Sequence, residues 1–416
     1  MGPKPGGALA TAVLLGGLAA ACGPGSPQPA PLRVGAMFPL SGSAASLAGE
    51  EYLGTQIAAQ LVNADGGIDG RQIAIDVRNV PTAAGAAAAA ASLKQDGVTT
   101  VMGAYSSELS IPTAAAVARE GMVYWETGAV ADQLTGQGLP LVFRVGADGS
   151  DLGGNSAAFS LQQIAPQFGL PPRALRVFLV TADDAYAESV AAGVRRGLAG
   201  SGASVVGEAV YDPNIPQWGP ALSAIAATHP DVLMLSAHIP DGVAFRRAFV
   251  AAGLHVDAFI GTTMAQCVPD FGTELGAEAY GVYASDRPAG DFNPSVLAPA
   301  ARSLFDRFTS AWHMATGRSP DEEAIAGFSA AWALFHDVLP RASRLTPAAI
   351  AAAARQLDLP AGTLPNGAGV RFATDRAHLG QNLLASAVVQ EWEPGGERTV
   401  WPPAFATGVV AAGSAW

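Results

Sequence analysis

The sequence predicts an α/β protein built as two doubly wound parallel-sheet lobes. Strand-like and helix-like runs alternate from residue 32 to residue 286, and the alternation starts afresh after residue 147. Size agrees with this: of 416 residues, 50% are hydrophobic and only 14% are charged, which is enough for two cores of ordinary dimensions.

The first 31 residues stand apart. Lys4 precedes an apolar run from Ala8 to Ala21 that is too short to cross a membrane and closes on small residues, so residues 1–21 read as a secretory signal. Leu18-Ala19-Ala20-Ala21-Cys22 resembles a bacterial lipobox, with Cys22 as the residue that takes the lipid. The large apolar residue of that box stands one place early, at Leu18; a plain signal peptide cut a few residues away is the alternative. Residues 22–31 are a Pro- and Gly-rich linker.

Residues 32–38 form the first predicted strand, followed by a hydroxyl-rich loop at Ser41 and Ser43. Leu53, Ile57 and Leu61 then recur at four-residue spacing and mark a buried helix face, which the glycine-rich turn at 63–71 stops. A strand at 72–77 and an alanine-rich helix at 82–96 lead into the stretch that looks built for a task. There, a β-branched strand at 98–101 runs into Gly103, Tyr105, Ser106 and Ser107, then a helix to Gly121 and a strand at 122–125 that opens into Glu126-Thr127-Gly128-Ala129. Both loops follow strands, so both fall on the side where such sheets bind ligands. The Ser106 and Ser107 hydroxyls and the first helix amides converge on one spot, a setting that favours an anion or an oxygen-rich group. The alternative is that the two serines only cap the helix.

The first run closes with a strand at 141–144; the second has a helix at 151–167 and strands at 176–180, 205–211, 232–235, 258–260 and 280–284 with helices between them. Three helices follow, at 304–314, 322–339 and 347–357, the last with Thr346 as N-cap and Pro347 in first position. A late strand is predicted over 384–392.

Several function classes are excluded. The formal net charge of −12 argues against nucleic acid as a partner. Lys4 and Lys94 are the only lysines, and Lys94 sits in a helix with no glycine loop before it, so there is no phosphate-binding P-loop. No His-Glu-x-x-His, Gly-x-Ser-x-Gly or Cys-x-x-Cys spacing is present, and the six histidines show no metal-ligand pattern. No enzyme, cofactor or metal is therefore expected. Asp183-Asp184 reads as a solvated turn and N-cap, with a general-base pair as the alternative.

Taken in order, Gly35-Ala36-Met37 before a Ser-Gly loop, the 63–71 turn, Val101-Met102-Gly103 with Ser106-Ser107 and Pro112, Glu120-Gly121 before a strand, Tyr186, and residues 240–253 are similar to the leucine/isoleucine/valine-binding proteins. The resemblance implies a type I periplasmic binding protein serving an ABC importer. It would have two lobes joined by a three-crossing hinge, a small-molecule ligand in the cleft, an ABC permease as partner, a monomeric state, and an extracytoplasmic place anchored by lipid. It divides the chain into 32–147 and 287–372 for the first lobe, and 148–286 with 373–416 for the second lobe and tail. It also places ligand contacts at Tyr105, Ser106, Ser107, Gly128, Ala129, Tyr186, His238 and Thr263. Thr263 stands where amino-acid binders of the family have the acid that pairs the ligand ammonium. That substitution leads to the expectation of a small carboxylate or neutral polar ligand without a free α-amino group, its body held by Tyr105, Trp125, Tyr186 and Met264. A branched-chain amino acid is the alternative ligand, with Glu126 or Asp183 supplying the charge. A ligand-sensing lipoprotein of the same fold is the alternative role.

Overall fold

The computed structural model describes Gly2 and residues 29–411; the predicted signal segment and Cys22 lie outside the described residues. Strands β1 (Leu32–Phe38), β2 (Ile73–Asn79), β3 (Thr100–Gly103), β4 (Val123–Glu126) and β5 (Val142–Arg144) form an all-parallel sheet of order β2-β1-β3-β4-β5. Helices α1 (Ala45–Ala64), α2 (Ala86–Gln95), α3 (Ser107–Arg119) and the single turn α4 (Gln133–Gly136) connect them. β3, β4 and β5 are buried throughout, as expected of parallel strands covered on both faces.

The second sheet is formed by β6 (Arg176–Ala182), β7 (Ser204–Tyr211), β8 (Val232–Ser236), β9 (Ala258–Thr262), β10 (Tyr283–Asp286), β11 (Val388–Glu393) and β12 (Gly396–Trp401). Its order is β12-β11-β10-β9-β8-β6-β7. The five strands from β6 to β10 are parallel and repeat the order of the first sheet; β11 and β12 add on antiparallel. Around it lie α5 (Gly149–Phe159), α6 (Ala165–Gln167), α7 (Ala185–Leu198), α8 (Trp218–Thr228), α9 (Asp241–Ala251) and α10 (Pro269–Leu275). Three later helices, α11 (Pro299–Thr316), α12 (Glu322–Trp332) and α13 (Pro347–Arg355), return to the first sheet, where Phe308, Phe328 and Phe372 share a core with Trp125 and Phe143. The chain thus passes between the lobes three times.

Two helix pairs pack backbone to backbone. A Cβ on Gly54 of α1 would lie 2.3 Å from the Ala324 carbonyl oxygen of α12, and one on Gly153 of α5 would lie 2.0 Å from the Val190 carbonyl oxygen of α7. Glycine is what permits these approaches.

Some expectations shift. The predicted strand at 280–284 lies at Tyr283–Asp286, and the predicted helix at 151–167 starts at Gly149, held by a reciprocal Asp148–Asp151 capping box, before loosening into a π-helical turn at Ser160–Ile164. Thr346 holds the N-cap position of α13 without a side-chain cap bond. β12 had no counterpart in the sequence reading, because Gly-Glu-Arg-Thr carries no apolar alternation; pairing with β11 makes it a strand.

Candidate functional site

In a parallel sheet of this order, the connections leave in opposite directions on either side of the pair β1/β3, opening a crevice at the strand ends; β6/β8 is the corresponding pair in the second sheet. The residues that close these ends are Tyr105, Ser106 and Ser107 after β3, Asp184 and Tyr186 after β6, and His238 after β8. The two crevices face each other. Tyr105 packs in one cluster with Phe38 and Ala48 of the first lobe, and Met264, from the loop after β9, packs against that cluster. Both contact residues hold left-handed backbone, with φ 84° at Tyr105 and 77° at Met264. Such strain costs about 1–3 kcal/mol per non-glycine residue and gathers at ligand clamps.

On the second wall, the Tyr186 hydroxyl lies 2.8 Å from Thr262 Oγ1 and donates to the Thr263 carbonyl. Its ring meets His238 edge-on at 5.2 Å. His238 Nε2 sits 2.6 Å from Asp184 Oδ2. Burial pulls the imidazole down, but the Asp184 contact outweighs it, with Asp241 and Glu108 adding, so the ring titrates above the ordinary histidine range. Glu108 belongs to α3 and thus acts from the opposite wall. Asp184 is also the N-cap of α7, accepting from the Ala187 amide at 2.9 Å, and its neighbour Asp183 is exposed. The pair thus divides into an exposed Asp183 and an N-capping Asp184 that also holds His238.

On the first wall, Ser106 occupies the N-cap position of α3 with extended backbone, but its hydroxyl makes no cap bond. The Ser107 hydroxyl accepts from the Ala131 amide at 3.0 Å. Neither serine therefore caps the helix, and no bond among the described residues takes the backbone amides of Ser107 and Glu108. Gly128 and Ala129 behave differently from the reading made on resemblance. Their amides are taken by Glu126 Oε1, at 2.9 and 2.8 Å, and that oxygen also accepts from the Thr127 amide at 3.0 Å. Their carbonyls accept from Arg287 and Arg144. Glu126 is thus spent on its own loop, with Tyr124 Oη donating to its second oxygen at 2.9 Å. Trp125 is core, fully buried with its indole donating to the Ala330 carbonyl at 2.8 Å.

Beneath Tyr105 lies a group of charges that sequence reasoning missed. Glu51 of α1 presses against Gly128, where an added Cβ would lie 1.9 Å from Glu51 Oε2, and its other oxygen accepts from the Thr127 hydroxyl. Arg287 binds Glu322 through a forked contact, Nε to Oε1 at 2.5 Å and Nη2 to Oε2 at 3.0 Å, with Asp286 Oδ1 at 3.6 Å. Glu323 lies beside this pair, 2% exposed, with Oε2 lacking a partner among the described residues. Burial and then the Glu126 charge push the Glu51 carboxyl up to about 8, against the Thr127 hydroxyl and Arg287, which pull it down. Burial likewise raises Glu322 and Glu323. For Glu322, the Arg287 charge works against that burial. The sequence held no trace of this group: the spacing of Leu53, Ile57 and Leu61 puts Glu50 on the marked face of α1, whereas Glu51 is the acid that is buried.

A separate open groove of about 880 Å³ lies on the hinge side, between α4, α7 and residues 377–383. None of the eight residues expected to touch ligand lines it. No group of three or more His, Cys, Asp or Glu among the described residues is placed to hold a metal ion.

A family model described as periplasmic binding protein matches residues 31–396. The Leu/Ile/Val-binding protein homolog 8 of Brucella abortus is 28% identical over 378 residues, which cover 90% of this chain and 91% of the relative. Among solved structures, the branched-chain amino acid transporter substrate binding protein LivJ from Streptococcus pneumoniae, in complex with isoleucine, superposes with a TM-score of 0.71 at 18% identity, covering 89% of this chain and all of the other. A solute binding protein of an ABC transporter from R. palustris, in complex with benzoate, gives 0.69 at 18% identity over 92% of this chain and 99% of the other. With two like-wound lobes facing each other at their switch points, the chain belongs to the periplasmic binding proteins, in the type I group of the leucine/isoleucine/valine-binding family.

Proposed function

We propose that the protein is the extracytoplasmic solute-binding component of an ABC importer, which captures a small solute between its lobes by hinge closure and presents the closed form to a membrane permease. The packing of Met264, from the second lobe, against the first-lobe cluster that holds Tyr105 carries this reading, since it forms a site only when both walls meet. A ligand that touches both walls favours the closed form by its differential affinity for that form. The unbonded amides of Ser107 and Glu108, with the uncapped Ser106 hydroxyl, suit a carboxylate head. Isoleucine and benzoate, held by two relatives of the same fold, both carry one.

A thermal-shift panel of amino acids, aliphatic and aromatic carboxylates, amides and amines tests the reading. A true ligand at a hundred times its dissociation constant adds about 2.7 kcal/mol of stability, and small-angle scattering should show compaction with the same compound. A panel without a single stabilising compound overturns solute binding. The lipid anchor is proposed at Cys22, and Cys22→Ser is expected to move the protein from the membrane to the soluble fraction. Continued membrane association of that variant rules the anchor out.

A further inference from the structure

Deepening the solute-binding reading, on which this inference rests, we propose that the floor of the interlobe site receives a cationic group of the solute, an ammonium or guanidinium, between Tyr105, Glu51 and Glu323, and that its arrival displaces protons from those carboxyls. The position is not the one where Thr263 stands. It lies on the wall of the first lobe, on α1 and α12 rather than in the loop after β9.

Three independent observations meet there. The Tyr105 hydroxyl is buried without a partner among the described residues, and the acids acting on it are Glu323, Glu51 and Glu322. Glu51 Oε2 and Glu323 Oε2 are likewise buried and without a hydrogen-bond partner among the described residues, and Tyr105 itself belongs to the first-lobe cluster against which Met264 packs. The charges do not balance. Glu51, Glu126, Asp286, Glu322 and Glu323 are all at most 2% exposed, and among the described residues Arg287 is the cation in contact with this group, already paired with Glu322. Buried carboxylates left without a counter-charge take up protons instead. An organic cation entering from the cleft supplies the missing charge and lets a carboxyl ionise.

The charged neighbours of Glu51 and Glu323 enter this balance: Glu126 at the end of β4, Asp286 at the end of β10 with Arg287 after it, and Asp321, Glu322 and Glu323 at the start of α12. Glu126 is held by three backbone amides and Tyr124, and Glu322 by Arg287. That leaves Glu51 and Glu323 as the carboxyls free to exchange a proton for a ligand cation. The Glu51 carboxyl, pushed up to about 8, is protonated at neutral pH.

Calorimetric titration of the full chain in phosphate and in Tris, buffers of very different ionisation heat, decides the matter, with putrescine, arginine, leucine, isovalerate and benzoate as probes. A probe carrying an ammonium or guanidinium should bind with an apparent enthalpy that differs between the buffers in the sense of proton release. Its affinity should rise from pH 6 to pH 8 by up to about tenfold per unit for each proton released. Glu323→Gln and Glu51→Gln, both close in shape to the parent residue, should each weaken that probe at least about tenfold and flatten the pH slope, with melting curves reporting whether they fold. Putrescine separates a need for the cation alone from a need for the zwitterion of leucine. Tight binding of isovalerate or benzoate with no proton release overturns the inference and leaves solute binding standing. No binding by any probe overturns both.

Discussion

Arg287→Met is expected to cost about 3–5 kcal/mol of folding stability near pH 8. The Arg287 side chain is 6% exposed and its partners Glu322 and Asp286 are 1% and 0% exposed, so the substitution strands two carboxyls in a medium where an unpaired charge is far more costly than in water. It also removes the donor to the Gly128 carbonyl. The loss should shrink as pH falls, because protonated Glu322 and Asp286 no longer need the guanidinium; the ion pair contributes only where the carboxyls are ionised. Wild-type stability runs the same way for a separate reason. Folded Glu51 holds a proton up to about 8 while its unfolded counterpart loses it near 4.5, so the folded state binds more protons across that window and becomes less stable as pH rises through it. Denaturant unfolding of both proteins at pH 5 and pH 8 measures these slopes. Pairing Arg287→Met with Glu322→Gln should recover part of the loss, as expected for contacting residues. A deficit below about 1 kcal/mol at pH 8, or one equal at the two pH values, would remove the ion pair from this account.

The fold was legible because its signals are local. β-branched and apolar runs such as 176–180 and 232–235, broken by glycine turns, repeat twice with helices between them, and parallel strands buried on both faces need no partner-specific pattern. β12 was not legible because its strand character comes from β11. The site divides along the same line. Tyr105, Ser106 and Ser107 could be placed because a strand end and a helix start lie side by side in the sequence. Tyr186, His238 and Thr263 came only with the resemblance, and the structure brings those three together through the Tyr186 hydroxyl and ring. Gly128 and Ala129 were in the right loop, but whether their amides face a ligand or Glu126 depends on a side-chain rotamer that no spacing reveals. Glu51, Arg287 and Glu322 come from three distant segments, α1, the end of β10 and α12, so their meeting depends on the close approach of Gly54 to Ala324 and on the second crossing of the hinge. At Thr263 the second wall is neutral, as the sequence has it, and the buried acids Glu51, Glu322 and Glu323 lie on α1 and α12 of the first lobe.

Tyr186→Ala is expected to destabilise the protein by about 3–5 kcal/mol, the range for removing a large buried ring, as well as to weaken ligand binding. A residue that only closes over a ligand would be exposed in part and would hydrogen-bond outward. Tyr186 is 2% exposed and belongs to the second-lobe core with Phe178, Val190 and Leu235, and its hydroxyl is directed at Thr262 and the Thr263 carbonyl. The ring therefore holds up the loop that carries Met264 to the first lobe, and the wall of the site is continuous with the core beneath it. Tyr186→Phe separates the two roles. It keeps the ring and leaves the Thr263 carbonyl without its donor, at a cost of about 1–3 kcal/mol, and any loss of affinity it shows must pass through the 262–264 loop. In a lobe of this size, the alanine variant should melt on the order of 10 °C below wild type and the phenylalanine variant only a few degrees below. A wild-type melting temperature for Tyr186→Ala, with reduced affinity, would return Tyr186 to the surface of the cleft as a ligand contact alone.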